Sequence, residues 1–244
     1  SMFNFFIPNR KKILSQSQAY WKKNKDLYKG RRGFVIGNGP SLKMEHLDLL
    51  HDNNEISIAS NKIFLAYANT KWRPTFHTVA DACLMDKLED ELPKYQNITH
   101  IPESSHWRFK KIKKVVWSDL GEAGVNKEIN YNFSDNITKG AFAAGTITFF
   151  NLQMAAHLGL NPIYLIGCDH SYSGEENSAR DKKVKTHGQD NHFNKNYRKA
   201  GELVNPACIE LMDKGYNHCK LFSDNTNIKI VNATIGGHLE AFDR

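Results

Sequence analysis

No apolar run in the sequence approaches the roughly 18–20 residues that a bilayer-spanning helix needs. Cysteine is sparse: Cys83, Cys168, Cys208 and Cys219 stand apart, with no Cys-x-x-Cys pair among them. That scatter argues against a disulfide framework or a zinc cluster and for buried thiols in a reducing compartment, so a cytoplasmic location is expected. A signal-peptide core is not expected either, because Phe3-Asn4-Phe5-Phe6-Ile7 is short and Pro8 interrupts it. Ser1 ahead of Met2 reads as an addition and is left out of the fold reading. Helix-turn-helix, RNP-like and zinc-finger signatures are missing, so no nucleic-acid partner is expected despite a formal net charge of +7.

What remains is an ordinary globular composition, 40% hydrophobic and 24% charged over 244 residues. Nine of the 33 Lys and Arg side chains precede the first expected strand, at Arg10, Lys11, Lys12, Lys22, Lys23, Lys25, Lys29, Arg31 and Arg32. Residues 1–28 therefore read as a basic helical segment lying on a single α/β domain, residues 29–244. The charge has three readings: solvated faces, attraction to anionic substrates, or contact with an anionic membrane surface, which would make the protein peripheral on the inner membrane.

Short apolar runs bounded by turn residues predict strands at 33–37, 56–60, 75–80, 162–167 and 228–232, with a further candidate at 98–101. Helices are expected over 42–50, near 89–91, over 140–158 with Gly159 as the stop, and around 199–214. The excursion 103–135 reads as a lid and 171–198 as a polar loop. This alternation implies a mostly parallel, Rossmann-like sheet with helices on both faces. Such sheets bind ligands at the carboxyl ends of their strands, where Asn38, Asn61, Asp81 and Asp169 fall.

Three constellations carry chemistry. Gly37-Asn38-Gly39-Pro40-Ser41 follows the first strand, and its glycines let the backbone turn and approach a ligand. Pro40 is expected in the first turn of the next helix, whose N–H groups would face an anion. The third glycine of a dinucleotide fingerprint is Leu42 here, and no Walker Lys-Ser/Thr follows. A nucleotide site and a plain strand-to-helix turn both satisfy this pattern. Thr138-Lys139-Gly140 is the second constellation: Thr138 is a candidate N-cap, and Lys139 could meet a phosphate or carboxylate. The third is His187 and His192, whose spacing is not that of helical zinc ligands; no metal site is expected, and either ring could act as a general base.

Lys29-Gly30-Arg31-Arg32-Gly33-Phe34-Val35-Ile36-Gly37-Asn38-Gly39-Pro40-Ser41-Leu42 resembles the opening of the MptE-like domain of motility-associated flagellin glycosyltransferases and polysaccharide-locus proteins. Asn61, the Trp72-Arg73-Pro74-Thr75 segment leading to Asp81, and Val231 to Gly237 extend the resemblance over about residues 29–243. The domain in turn looks like the bacterial sialyltransferases that use CMP-sialic acid on a variant glycosyltransferase-A fold.

The resemblance implies a glycosyltransferase that takes a CMP-linked sugar from a nucleotide donor to a glycan or glycoprotein acceptor. Gly37, Asn38, Gly39, Pro40, Ser41, Asn61, Asp81 and Asp169 would hold the nucleotide. Asp81 replaces an asparagine of the sialyltransferases. Thr138, Lys139 and Gly140 would face the donor, with Lys139 replacing a serine, and His192, or failing that His187, would be the base. Two tyrosines hold the departing phosphate in those enzymes; Tyr172 stands one residue out of step and the second has no counterpart, a departure that bears on CMP-sialic acid itself. No cofactor would be required. The alternatives are a diphosphokinase using ATP and magnesium, with Asp81 and Asp169 as metal ligands, and a non-catalytic assembly factor at the membrane surface.

Overall fold

The computed structural model describes residues 9–103, 109, 112, 119–122, 127–169, 184–185, 192–197, 203–204, 209–236 and 242–243. In chain order the elements are α1 (Arg10–Asn24), β1 (Gly33–Ile36), α2 (Met44–Asp52), β2 (Ile56–Ser60), β3 (Phe76–Val79), α3 (Met85–Glu91), β4 (Thr99–Pro102), β5 (Asp119–Glu122) and β6 (Ala141–Ala143). They continue with α4 (Ile147–His157), β7 (Ile163–Ile166), β8 (Val184–Lys185), β9 (Leu203–Val204), α5 (Ile209–Asn225) and β10 (Ile230–Asn232).

Six strands form a parallel sheet in the order β10-β7-β1-β2-β3-β4. Side chains alternate across it as the strand period requires. Val35 and Ile58 join the core beneath α4, while Ile36 and Ala59 join the one beneath α2. Burial on both faces explains the uncharged, mainly apolar composition of β1, β2 and β7. The strands predicted at 33–37, 56–60, 75–80, 98–101, 162–167 and 228–232 all form.

The helices depart further from expectation. The stretch 140–158 is divided: Ala141–Ala143 is β6, paired with β5, and α4 begins only at Ile147. Gly145, at φ 70°, makes the break, and Thr146 caps the helix by accepting the Thr148 N–H at 3.2 Å. From Thr148 to His157 every residue of α4 is buried, so the single apolar side expected from Ile147, Phe150, Met154 and Leu158 is too narrow. α4 lies between the sheet and a layer formed by α1 and α5, with Trp21 edge-on to both Phe150 and His157. Its buried polar groups are matched: Gln153 Oε1 accepts from Ser134 and Phe142 N–H, and its Nε2 donates to the Phe142 and Phe149 carbonyls. The helix expected around 199–214 lies later, at Ile209–Asn225.

His157 closes the far end of α4. Its Nδ1 accepts from Ile137 N–H at 2.9 Å, and Nε2 donates to the Trp21 carbonyl at 2.8 Å. Burial pulls its pKa down to about 4 and that of His77 to about 3. Both rings are neutral in the fold, whereas the unfolded chain takes up protons below about pH 6.5. Stability is therefore expected to be full above that pH and to fall as pH drops toward these lowered values, His157 alone removing about 3 kcal/mol. Urea denaturation between about pH 7 and about pH 5 checks this. His157→Gln should reduce the dependence and leave the part due to His77, and a pH-independent midpoint in the parent chain would refute it.

Candidate functional site

β1, β2 and β7 end side by side, and the turns that follow them build the site. Gly37 N–H donates to the Ile166 carbonyl at 2.8 Å and Gly39 N–H to the Gly167 carbonyl at 2.9 Å, so the turn after β1 lies directly on the turn after β7. A Cβ on Gly37 would overlap the Gly167 carbonyl, and one on Gly39 would overlap the Asp169 carboxylate. The glycines thus allow close contact between two turns of the chain. Pro40 is exposed in the turn. It does not open the next helix: α2 starts at Met44, behind an N-cap at Lys43.

Asp169 holds this turn with both oxygens: Oδ1 accepts from the Ser41 hydroxyl at 2.6 Å and Oδ2 from the Ser41 N–H at 3.2 Å. A carboxylate of the chain itself thus meets the N–H and hydroxyl of Ser41 in this turn. A second negative group placed there would meet repulsion. That leaves the turn suited to the neutral, hydrogen-bonding part of a ligand.

Asn38 projects toward β2. Its Nδ2 donates to the Ser60 carbonyl and to the Tyr197 hydroxyl, each at 2.9 Å, and its carbonyl accepts from Phe193 N–H at 2.9 Å. Asn61 follows Ser60 in the left-handed region at φ 56°, a conformation that asparagine tolerates. The Oδ1 atoms of Asn38 and Asn61 are both buried without a hydrogen-bond partner among the described residues. Beneath them, Asn151 of α4 joins Ser60 Oγ at 2.8 Å to Thr78 Oγ1 at 2.7 Å.

Residues 192–197 lie over this floor. Tyr197 is buried, its carbonyl accepting from Lys62 Nζ at 2.6 Å, and the Lys62 ammonium stands 5.5 Å from its ring centroid. The His192 ring stacks on Tyr197 at 3.9 Å and 4°. His192 is thus one ring away from Asn38. His187 and Tyr172 lie outside the described residues.

Asp81 stands at the same edge, beyond β3, and Oδ1 accepts the Cys83 N–H at 2.8 Å. Thr138, Lys139 and Gly140 do not join the site. They form a 3-10 turn capped by Asn136, and Ile137 within it is bonded to His157, at the end of α4 away from the strand termini. The other end of α4 is the one nearer the strand termini, where Thr148 lies beside the Cys168 thiol. At 1.5 Å per residue the two ends of α4 are about 16 Å apart. Thr138 also does not cap α4; Thr146 does. The residues at the site that the sequence reading passed over are Gly145, Thr146, Thr148, Lys62 and Tyr197. A Gly-Thr pair ahead of an apolar run is a helix-start signal that could have found the first two. Among the described residues, no three or more His, Cys, Asp or Glu side chains gather as metal ligands.

A family model described as 6-hydroxymethylpterin diphosphokinase MptE-like matches residues 4–175. The fold is similar to the structure of the MAf glycosyltransferase from Magnetospirillum magneticum AMB-1, with a TM-score of 0.50 at 17% identity over 95% of this chain. The match takes in 38% of that protein's length. At this identity the likeness concerns the fold. No curated protein matches.

Proposed function

Since the chain belongs to the MptE-like family, we propose that its sheet edge binds a nucleotide-activated sugar and that the protein is a glycosyltransferase with a CMP-linked donor. The observation that carries the reading is the meeting of Asn38, Ser41, Asn61, Asp169 and His192 at the ends of β1, β2 and β7. In this reading the buried Oδ1 atoms of Asn38 and Asn61 accept from the nucleoside. Asp169 steers the phosphate away from the Gly37–Ser41 turn and toward the start of α4, where the helix end favours an anion. Lys62, buried beside Asn61, takes the cationic role that the sequence reading gave to Lys139.

In the reaction proposed, His192 removes the proton from a hydroxyl of the glycan or glycoprotein acceptor. The freed oxygen bonds to the anomeric carbon as the carbon–phosphate oxygen bond breaks, and CMP departs with that electron pair. The diphosphokinase reading would use Asp81 and Asp169 on magnesium. These carboxylates fit it poorly, because Asp169 has both oxygens on Ser41 and Asp81 caps its own turn.

A thermal-shift screen separates the readings. CMP at about a hundred times its Kd should raise the melting temperature by about 5–10 °C without magnesium. A shift seen only with ATP and magnesium would replace the transferase by the kinase, and no shift with any nucleotide would favour the assembly factor.

A further inference from the structure

His77 of β3 and His100 of β4 are register partners in adjacent parallel strands, and both are buried. Their Nδ1 atoms face one another at 3.2 Å. Behind them, His77 Nε2 lies 2.8 Å from the Asn61 carbonyl and His100 Nε2 lies 2.9 Å from the Tyr95 carbonyl. Each carbonyl can only accept, so each Nε2 holds a proton. An uncharged pair then has two protons for three contacts and turns two lone pairs toward each other. A third proton, placed between the Nδ1 atoms, would satisfy all three contacts. A fourth would set N–H against N–H.

We propose that His77 is a positioning residue for the nucleotide site: with His100 it forms a proton-sharing pair that anchors Asn61 in its left-handed turn and gains or loses one proton as a unit. The effect on ligand rests on the function proposed above; the protonation of the pair does not. Asn61 joins β2 to a kinked 3-10 turn, and the carbonyl held by His77 fixes the conformation from which its side chain leaves the backbone.

The charged groups packed around the pair are turned elsewhere. From the turn after β2, Lys62 points its ammonium at the Tyr197 carbonyl. From the turn before β4, Tyr95 gives its hydroxyl to Glu91 at 2.8 Å, with Lys94 on the same carboxylate. Arg73 lies over the Tyr67 ring at 4.3 Å, beyond Tyr95. Burial lowers the pKa of both histidines, and for His77 the neighbouring ring adds to it, so the pair is uncharged at neutral pH and the third proton enters on acidification.

Ring-nitrogen NMR of the whole chain, labelled at histidine, tests the pair directly. At neutral pH both Nε2 atoms should be protonated and both Nδ1 atoms bare; on acidification one proton should enter with a single midpoint seen at both rings. An Nδ1–H tautomer in either ring at neutral pH, or two rings charging separately, would overturn the proposal. Calorimetric titration with CMP tests the positioning. His77→Leu should weaken binding about tenfold, the scale of one lost anchoring hydrogen bond, and His77→Gln should recover most of it. His100→Leu should stay near the parent affinity while the joint titration disappears. Unchanged affinity in His77→Leu would refute the positioning role. A parent chain that does not bind CMP would sink the proposed donor, and the NMR result would still decide the pair.

Discussion

His192→Ala is expected to lower turnover by about 10²–10⁴-fold, the usual contribution of a general base, with CMP affinity nearly unchanged. The expectation rests on where the ring lies. His192 stacks on Tyr197, and Tyr197 in turn contacts Asn38 and Lys62; the imidazole is one ring removed from Asn38. Losing the ring should therefore remove proton transfer and spare the groups that hold the nucleotide. Single-turnover rates measured beside equilibrium CMP binding separate the two effects. His187→Ala is the control and should change turnover little. A large loss at His187 alone would move the base to that residue, and near-parent turnover in both variants would end the histidine-base mechanism.

Gly37→Val should destabilise the fold by about 3 kcal/mol, an overpacking cost at the upper end of the usual range. Its Cβ would meet the Gly167 carbonyl, and the Cys168 sulfur lies 2.8 Å from the same position. Neither can move aside cheaply: Gly167 is backbone at φ 67°, and Cys168 N–H is tied to Thr234 Oγ1 at 3.1 Å. The melting temperature should drop by about 6–12 °C, and nucleotide binding should fall with it because the Ser41–Asp169 contact depends on the same packing. A Gly37→Val chain as stable as its parent would mean that the two turns are not in contact.

The sheet was legible because burial on both faces leaves β1, β2 and β7 as short, uncharged and mainly apolar runs followed by Asn38, Asn61 and Asp169. Those residues lie together at the strand edge of the candidate site. Two features hid the rest. Ala141 to Phe150 carries no charged residue and is mostly apolar, which suits a buried strand and a buried helix equally, so β6 and α4 merged in the reading and Thr138–Gly140 was assigned to the wrong end of α4. Lys62 and Tyr197 are 135 positions apart in sequence, and no periodicity links them. The role of Asp169 as an internal anion was equally out of reach, since a strand-end aspartate reads the same whether it meets a ligand or a serine of its own chain.

The placement of β1 between β2 and β7 has a consequence for synthesis. β2 is made within some twenty residues of β1, but Ile163, the partner of Gly33, emerges 130 residues later (163 − 33). At about 5–20 residues per second this delay lasts on the order of ten seconds. Throughout it, β1 presents a bare row of N–H and C=O groups along one side of a nascent sheet, the geometry that invites pairing with another chain. The strand that ends at the Gly37–Ser41 turn is therefore the one that waits longest for a neighbour in the sheet. A chaperone bound over Gly33–Ile36 would protect it until β7 arrives.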